Sequence, residues 1–547
     1  MPDISTVFPT AGPSLQAMLA LLILLLPGSL LLAAWMANRG SQHLARAWSF
    51  AEGGALLAML TALLSAVEVG LNGSGSASFA HWCPSVTLDA LSVMMLLLTA
   101  FLGWVILRYS RNYLAGDKGL AHYLIWLCLT LATVWLLVIF NNLLLVCLAW
   151  SASSLALHQL LIFYKDRPAA LMAAHKKFFI SRAADVLTLV ATLLLYVRFD
   201  TLELDRIASA LVNVHEADTN IEIAAYLFVI SAILKCAQPP LHGWLLQVME
   251  APTPVSALLH AGIVNIGGFI LLRVSGLLEL VPAAQLLLVM VGSITATLAA
   301  LVMMTRISVK VMLAWSTCAQ MGFMLLEIGL GAYSLALLHL LAHSLYKAYA
   351  FLAAGETVSR QRMLHIAPAT HPLNFAQLCM AFAGLGLALM LSGWLTGLDP
   401  RHDAVIWLLG GVLASGLLPL VSSPSENRGW YQVILLTIYA FGLSLLYGIW
   451  HFIFGRLLPA STVPPSIFSI IFAAVCLLGL LIVQQIVLGS PRGALSRWLH
   501  PRAFAGFHLD EMVTYLTLRI WPARLTDSKK NHPLNVGGSR FNNKEKL

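Results

Sequence analysis

Apolar runs of about twenty residues recur along the whole sequence. A helix needs roughly twenty apolar residues to cross the hydrocarbon core of a bilayer. Fifteen runs approach or exceed this length, near residues 16–37, 47–69, 87–107, 120–139, 142–163, 174–197, 223–247, 254–274, 284–304, 309–329, 332–354, 374–396, 403–421, 430–452 and 466–488. With 59% hydrophobic and only 10% charged residues, the chain cannot be an ordinary soluble globule. The predicted fold class is an all-α polytopic membrane protein with about 15 transmembrane helices.

Basic residues cluster after alternate runs, which predicts the orientation. Cytoplasmic loops of membrane proteins are enriched in Lys and Arg. The residues that follow odd-numbered runs are Arg39, Arg46, Arg108, Arg111, Lys118, Lys165, Arg167, Lys176, Lys177, Arg306, Lys310, Arg360 and Arg362. By contrast, 70–86 contains no basic residue and 198–222 is net acidic. We therefore expect the N-terminus outside and the C-terminus inside.

The net charge of +8 comes from short loops and from the tail, so it reports topology and not a nucleic-acid surface. Six of the seven cysteines fall inside apolar runs and no CxxC pair occurs, so neither a disulfide framework nor a protein-bound metal centre is indicated.

The tail, 489–547, is basic and contains the amphipathic segment HLDEMVTYLTLRIWPARL. Such a segment is typical of a helix on the membrane surface, and docking to a cytoplasmic partner is the alternative.

The stretch 226–275 has the strongest functional signal. Lys235 lies within an apolar run, four residues before Pro239 and Pro240, and a lysine at membrane depth costs roughly 2.5–3.5 kcal/mol on insertion scales. Prolines break helices, and broken helices at membrane depth are tolerated where they line a cavity or pack within protein. Lys235 is therefore a proton-path candidate. His260, in the following run, joins it, with a packed core histidine as the alternative.

The eleventh run places His339, His343 and Lys347 at i, i+4 and i+8, on one helix face. Three ionisable groups on one transmembrane face must meet protein or water, and histidine exchanges protons near neutral pH. The alternatives are satisfied core histidines, or a metal site formed by the His-x-x-x-His pair, which no neighbouring carboxylate or cysteine completes.

Other ionisable groups in the runs are more ambiguous. Asp185 lies one turn after Arg182, so it either forms an ion pair within its helix or acts on Lys235. Lys310, at the start of the tenth run, is either a path residue or a lysine snorkelling to the interface. Asp89 and Glu327 are interpreted as structural. No nucleophile–base set, phosphate loop or nucleotide motif occurs, so the chain is predicted not to be an enzyme by itself.

Two stretches resemble a known family. AILKCAQPPLHGWLLQVMEAPTPVSALLHAGIVNIGGFIL and ISVKVMLAWSTCAQMGFMLLEIGLGAYSLALLHLLAHSLYKAYAFLAAGE are similar to the antiporter-like subunits of respiratory complex I, of the NuoL type, and of Mrp antiporters. The resemblance implies two inverted five-helix repeats with broken helices. It implies that Lys235 carries protons and that the remaining positions line a hydrated polar axis: Asp185, His260, Lys310, His339, His343 and Lys347. The implied parts are N-terminal helices 1–119, a first half-channel 120–275, a second, degenerate half-channel 284–421, C-terminal helices 430–488 and a cytoplasmic tail 489–547.

Departures from the family pattern are equally informative. Ser151 stands where the family has a glutamate after Trp150, so the expected partner of Lys235 is missing. The second half-channel has Gly397 near the place of its lysine, and no long lateral helix follows the last run. These features fit better the DabB branch of the family, from inorganic-carbon accumulation complexes.

The resemblance to that branch implies a bacterial inner-membrane subunit that conducts protons or another cation and binds a DabA partner. DabA is similar to β-carbonic anhydrases, so zinc and CO2 hydration are expected in the partner, and no cofactor is expected in this chain. Two alternatives remain open at the level of sequence. One is a proton- or sodium-pumping subunit of a complex I-like or Mrp complex, and the other is a non-conducting scaffold for a soluble enzyme.

Overall fold

The computed structural model describes residues 15–77, 84–355, 375–397, 404–415, 429–455, 461, 463–490 and 492–521. Its N-terminal half contains α1 (Leu15–Asn38), α2 (Ser41–Asn72), β1 (Gly75–Ala77), β2 (Val86–Leu88), α3 (Ala90–Tyr113), α4 (Leu120–Ile139), α5 (Leu143–Leu161), α6 (Pro168–Phe199), α7 (Leu204–Leu211), α8 (Thr219–Lys235), α9 (Gly243–Gln247), α10 (Thr253–Ala261) and α11 (Ile266–Arg273). The C-terminal half contains α12 (Ser275–Glu279), α13 (Pro282–Met303), α14 (Val309–Gly329), α15 (Tyr333–Leu352), α16 (Phe375–Thr396), α17 (Ala404–Ser415), α18 (Gly429–Gly455), α19 (Ile467–Gly489), α20 (Ala494–Phe504) and α21 (Glu511–Ile520).

The predicted fold class is confirmed. Among the described residues, 13 helical segments are long and apolar enough to cross a membrane. The run 223–247 is shorter as a helix, because α8 ends at Lys235, and the described part of the run 403–421 is the 12-residue α17. The third span begins at Ala90, since residues 86–88 pair with β1 in an antiparallel hairpin that the sequence analysis did not predict.

Besides a buried apolar core, the described chain exposes many large apolar side chains, as expected for a protein surrounded by lipid. Val197 and Met390 are 73% and 68% exposed, whereas Lys176 and Lys347 are fully buried. A lysine inside such a protein must meet acceptors from neighbouring helices. Buried polar groups of this chain therefore lie between its helices, in one group on α5, α6 and α8 and in another on α14 and α15.

Two predicted loop charges are in fact buried helix residues. The sequence analysis counted Lys176 and Lys177 among the cytoplasmic loop charges, and the structure places both in the third turn of α6, where they are buried. Pro168 starts this helix, so the basic stretch continues straight into the span. Lys165 and Arg167 still lie between α5 and α6, and the orientation stays a prediction.

The helix that carries Lys235 is broken directly after it. Ala237 has a left-handed backbone conformation with φ of 52°, and Pro239 and Pro240, which are joined by a cis peptide bond, have no N–H to continue the helix. Cys318 of α14 donates through its Sγ to the Ala237 carbonyl at 3.3 Å. A similar interruption, the 3₁₀ turn Ile263–Asn265, separates α10 from α11 just after His260. Both candidate residues thus lie beside irregular backbone, which in a membrane is tolerated within protein.

Helices α13 and α14 approach each other very closely. A Cβ on Gly292 would lie 2.5 Å from the carbonyl oxygen of Gly322, and a Cβ on Gly322 would lie 2.8 Å from that of Gly292. Small residues allow such contacts between membrane helices. This contact fixes the position of α14, which carries Lys310 near its start and Glu327 near its end.

The C-terminal segment folds back onto the chain. The sequence predicts a membrane-surface helix there, or a helix that docks to a partner. The structure packs its helical part, α21, against α6, and Trp521 stacks on His175 with ring centroids 4.0 Å apart. Neither expectation included this intramolecular contact.

Candidate functional site

A buried ion cluster joins α6 and α8. Lys235 is the last residue of α8, and its Nζ lies 2.5 Å from Oδ1 of Asp185 on α6. Arg182, one turn before this aspartate, has Nη2 2.8 Å from the Oδ2 atom. Asp185 therefore bridges two cations. The sequence analysis offered an ion pair within α6 and a contact with Lys235 as alternatives for Asp185, and the structure has both contacts.

Helix α5 completes the cluster without a carboxylate. Arg182 donates from Nη1 to Ser151 Oγ at 2.8 Å and from Nη2 to the Ser151 carbonyl at 3.3 Å. Lys235 Nζ lies 3.8 Å from the centroid of the Trp150 ring, and a desolvated cation over an indole can gain about 2 kcal/mol. The serine that replaces the family's glutamate thus holds the guanidinium, and the carboxylate that meets Lys235 comes from α6.

Lys177 extends this cluster and was missed as a site residue. Its Nζ donates to the carbonyl and the hydroxyl of Ser154 on α5, at 2.8 Å and 3.0 Å, and it is close enough to Lys235 for their charges to interact. Lys177, Ser181 and Asp185 have the spacing i, i+4 and i+8, which places them on one face of α6. That spacing was present in the sequence and could have revealed Lys177.

A second polar row lies along α15. His339 Nδ1 is 2.7 Å from Glu327 Oε2 on α14, and the His339 and His343 rings are 6.1 Å apart. One turn further, the fully buried Lys347 donates from Nζ to the Leu313 carbonyl at 3.1 Å. The predicted common face is therefore observed. Glu327, interpreted from the sequence as structural, contacts the first histidine of the row.

His260 reaches the same row from α10. Its ring stacks on Phe351 with centroids 4.5 Å apart, and its charge would interact with those of His343 and Lys347. Neither ring nitrogen of His260 or His343 has a hydrogen-bond partner among the described residues. Buried polar atoms are normally hydrogen-bonded, so these two histidines differ from the satisfied core histidines considered above.

Lys310 and Asp89, the remaining ionisable residues considered in the sequence analysis, lie at the starts of helices. Lys310 donates from Nζ to Thr253 Oγ1 at 2.9 Å and so connects the start of α14 to the start of α10. Asp89 caps α3 by accepting from the Ser92 N–H at 2.8 Å, and it forms an ion pair with Arg273 of α11. This arrangement agrees with the structural interpretation of Asp89.

The row on α15 borders an apolar cavity of about 450 Å³. Gln320, Glu327, His339 and Tyr447 are the polar residues of its wall, and most of the remainder are aliphatic side chains of α13, α15, α17 and α19. In the described part of the chain, no three His, Cys, Asp or Glu side chains are grouped closely enough to hold a metal ion. The two histidines of the His-x-x-x-His pair therefore lack a third donor of these types there.

Comparison with known families agrees with this architecture. Residues 141–394 match the model of the NADH:quinone oxidoreductase/Mrp antiporter transmembrane family, and residues 80–124 match that of the complex I chain 5 N-terminus. The fold is similar to the Mrp complex from Dietzia sp. DQ12-45-1b, with a TM-score of 0.55 and 22% identity over 93% of this chain and 57% of that one. It is also similar to a membrane-bound sulfane sulfur reductase, an archaeal respiratory complex, with a TM-score of 0.57 and 17% identity over 92% of this chain and all of that one.

The sequence relatives are more specific. The chain is 38% identical to the probable inorganic carbon transporter subunit DabB of Hydrogenovibrio crunogenus, over 89% of this chain and 93% of that protein. It is 30% identical to NADH-quinone oxidoreductase subunit L of Escherichia coli, over 74% of this chain and 67% of that protein. Fold and relatives together define a multi-pass, antiporter-like membrane subunit. Within this class, the chain belongs to the DabB family.

Proposed function

We propose that this chain conducts protons through the membrane and thereby drives inorganic-carbon uptake in a complex with a DabA-type partner. The observation that carries the proposal is the buried pair of Lys235 and Asp185 at the end of a broken helix. A charged pair at that depth is costly to maintain, and in membrane proteins such pairs mark ion pathways.

The path would use both polar clusters. Lys235 exchanges a proton when its contact with Asp185 weakens, because Arg182 competes for the same carboxylate. The second cluster offers ring nitrogens and an ammonium in a row formed by His260, His343, His339 and Lys347. Histidine is suited to both accepting and donating protons. Lys310, which contacts Thr253 at the start of α10, is proposed to belong to the same path.

The partner and the setting follow from the relatives. The DabB relative is named a probable inorganic carbon transporter subunit. We propose that this chain, like a DabB subunit, forms a membrane complex with a DabA-type partner. We assign zinc and CO2 hydration to that partner and derive no step through a metal in this chain. The proposed setting is the bacterial inner membrane, with a periplasmic N-terminus and a cytoplasmic C-terminus.

The test compares Lys235→Met with Lys118→Met, an exposed lysine in the loop after α3. Each variant is expressed with the DabA-type partner in a bacterial host that lacks carbonic anhydrase, and inorganic-carbon accumulation is measured. We expect loss of accumulation in the first variant and normal accumulation in the second, with the complex intact in both. Normal accumulation in Lys235→Met and His339→Ala would overturn conduction in favour of a scaffold.

Mass spectrometry of the purified complex tests the partner separately. A single large zinc protein supports the inorganic-carbon assignment. Antiporter-like subunits accompanied by iron–sulfur or flavin proteins would replace it with a pumping role of the complex I or Mrp type, which the similarity to subunit L makes the second candidate.

A further inference from the structure

The C-terminal segment supplies a carboxylate to a lysine that is otherwise sealed inside the protein. Asp510 precedes α21, and its Oδ2 atom accepts from Lys176 Nζ at 2.6 Å. The same ammonium donates to Thr514 Oγ1 at 2.6 Å. Lys176 is fully buried, whereas the Asp510 side chain keeps a quarter of its surface exposed. The pair therefore connects the protein interior with its surface.

The other oxygen of Asp510 faces the break after Lys235. Oδ1 is buried and has no hydrogen-bond partner among the described residues. It lies so close to Gly243 that a Cβ there would be 1.7 Å away. The adjacent His242 is buried as well, and its Nδ1 also lacks a partner in the described ranges. Two buried polar atoms without a hydrogen-bond partner in the described ranges thus lie near the broken helix, one on Asp510 and one on His242.

Helix α6 continues from this point to the ion cluster. Lys177 is adjacent to Lys176 in the chain and lies about 12 Å along the helix axis from Asp185, at roughly 1.5 Å per residue. Ser181 lies between Lys177 and Asp185 on the same face, and it is buried. Lys177, Ser181 and Asp185 thus form a polar face of α6 that ends at the carboxylate contacting Lys235, and Lys176, the chain neighbour of Lys177, contacts the tail.

We propose that Asp510 is the entrance residue of the proton path, so that the tail forms part of the channel wall. This inference rests on the proposed function. A proton from the cytoplasm binds the Asp510 carboxylate and neutralises it, which releases the ammonium of Lys176. Lys176 passes one proton inward along the Lys177 face of α6, and Asp510 then returns its own proton to the Lys176 amine. Each cycle takes up one proton at the surface and delivers one proton inward, and the ion pair is restored.

The test is Asp510→Asn, which has nearly the same shape but cannot carry a proton. Its matched control is Glu511→Gln, the next residue, whose exposed side chain pairs with His508 on the surface. Positioned proton-transfer groups contribute about 10²–10⁴-fold, so we expect carbon accumulation to fall at least about tenfold in Asp510→Asn and to change less than about twofold in the control. Asp510→Glu should recover much of the activity. Accumulation equal to wild type in Asp510→Asn overturns the inference.

Tail docking is measured in the same samples by trypsin cleavage at Arg519, on the exposed side of α21. Unchanged cleavage with lost accumulation supports the entrance role. If Asp510→Asn releases the tail, the Lys176→Met/Asp510→Leu variant decides, because it replaces the ion pair by an apolar contact. A docked tail with normal accumulation would then overturn the inference, and a docked tail without accumulation would support it.

Lys235→Met is run in parallel to separate the two proposals. If that variant accumulates carbon normally, the proposed function fails whatever Asp510→Asn does. If it is inactive while Asp510→Asn is fully active, only the entrance role fails.

Discussion

The two polar clusters hold their lysines in opposite ways. Lys235 lies against a carboxylate that also contacts Arg182, so that buried charges of both signs meet. Lys347 lies against the Leu313 carbonyl, and the carboxylate of its row, Glu327, contacts His339 instead. A buried ion pair resists the loss of either partner, whereas a lysine on a carbonyl can become neutral without stranding a charge. The first cluster therefore compensates the charge of its lysine with a carboxylate, whereas the second offers its lysine only a neutral acceptor.

Asp185→Leu breaks the first cluster and should have the largest effect. It leaves the buried Lys235 and the partly exposed Arg182 without their carboxylate, and removing one partner of a buried ion pair typically costs about 3–5 kcal/mol. We expect this loss in the unfolding free energy of the purified chain in detergent. The control is Arg182→Met/Asp185→Leu/Lys235→Met, which removes the carboxylate together with both of its cationic partners and should regain most of the stability without transport. An Asp185→Leu protein as stable as wild type would show that this carboxylate does not neutralise the cluster.

A glutamate on α5 should replace the carboxylate on α6. Ser151 Oγ lies 2.8 Å from Arg182, and Trp150 beside it faces Lys235. We therefore expect Ser151→Glu to restore much of the stability and carbon accumulation lost in Asp185→Asn. Ser151→Gln in the same background is the matched control, since it has the size of glutamate without the charge. Equal behaviour of the two double variants would contradict the exchange.

The contact between Glu327 and His339 should be weaker than the first cluster. Hydrogen bonds to charged groups contribute about 1.5–3 kcal/mol, and a double-mutant cycle of Glu327→Gln and His339→Gln should give a coupling in this range. Glu68→Gln on α2 combined with Glu327→Gln serves as the control cycle, and additivity is expected there. A coupling near zero in the first cycle would show that the two side chains act independently.

Lys347→Met should have the smallest effect on stability. The ammonium forms one hydrogen bond to a carbonyl, and its removal also removes the desolvation cost of a buried charge. We expect the unfolding free energy to stay within about 1 kcal/mol of wild type while carbon accumulation is lost. Lys347→Gln, which keeps a donor, tests whether the hydrogen bond alone matters. A large destabilisation would reveal a charge partner and would remove the contrast with Lys235.

Hydropathy was sufficient to predict the fold, because the bilayer sets the length and polarity of every span. The prolines after Lys235 also predicted where α8 ends. The aligned face of His339, His343 and Lys347 follows from helical periodicity alone, and so it was predictable. The pairing of Lys235 with Asp185, across 50 residues, remained one of two alternatives, because helix packing decides it.

Lys176 and Lys177 show where sequence reasoning fails. They follow Lys165 and Arg167 so closely that they were counted as loop charges, although Pro168 had already started the helix. Nothing local indicates that Lys176 is buried, because its partner Asp510 is 334 residues away. Lys177, by contrast, could have been found from the sequence, because its helical spacing to Asp185 is a local pattern.

The 334 residues between Lys176 and Asp510 also matter during biosynthesis. Ribosomes add about 5–20 residues per second, so translation from Lys176 to Asp510 takes on the order of 15–70 s. During this time α6 is in the nascent chain, and the carboxylate that neutralises Lys176 has not yet been made. The segment around α21 therefore completes the environment of a lysine in the sixth span only after that span has been made, and a chain truncated before Asp510 keeps Lys176 without this carboxylate.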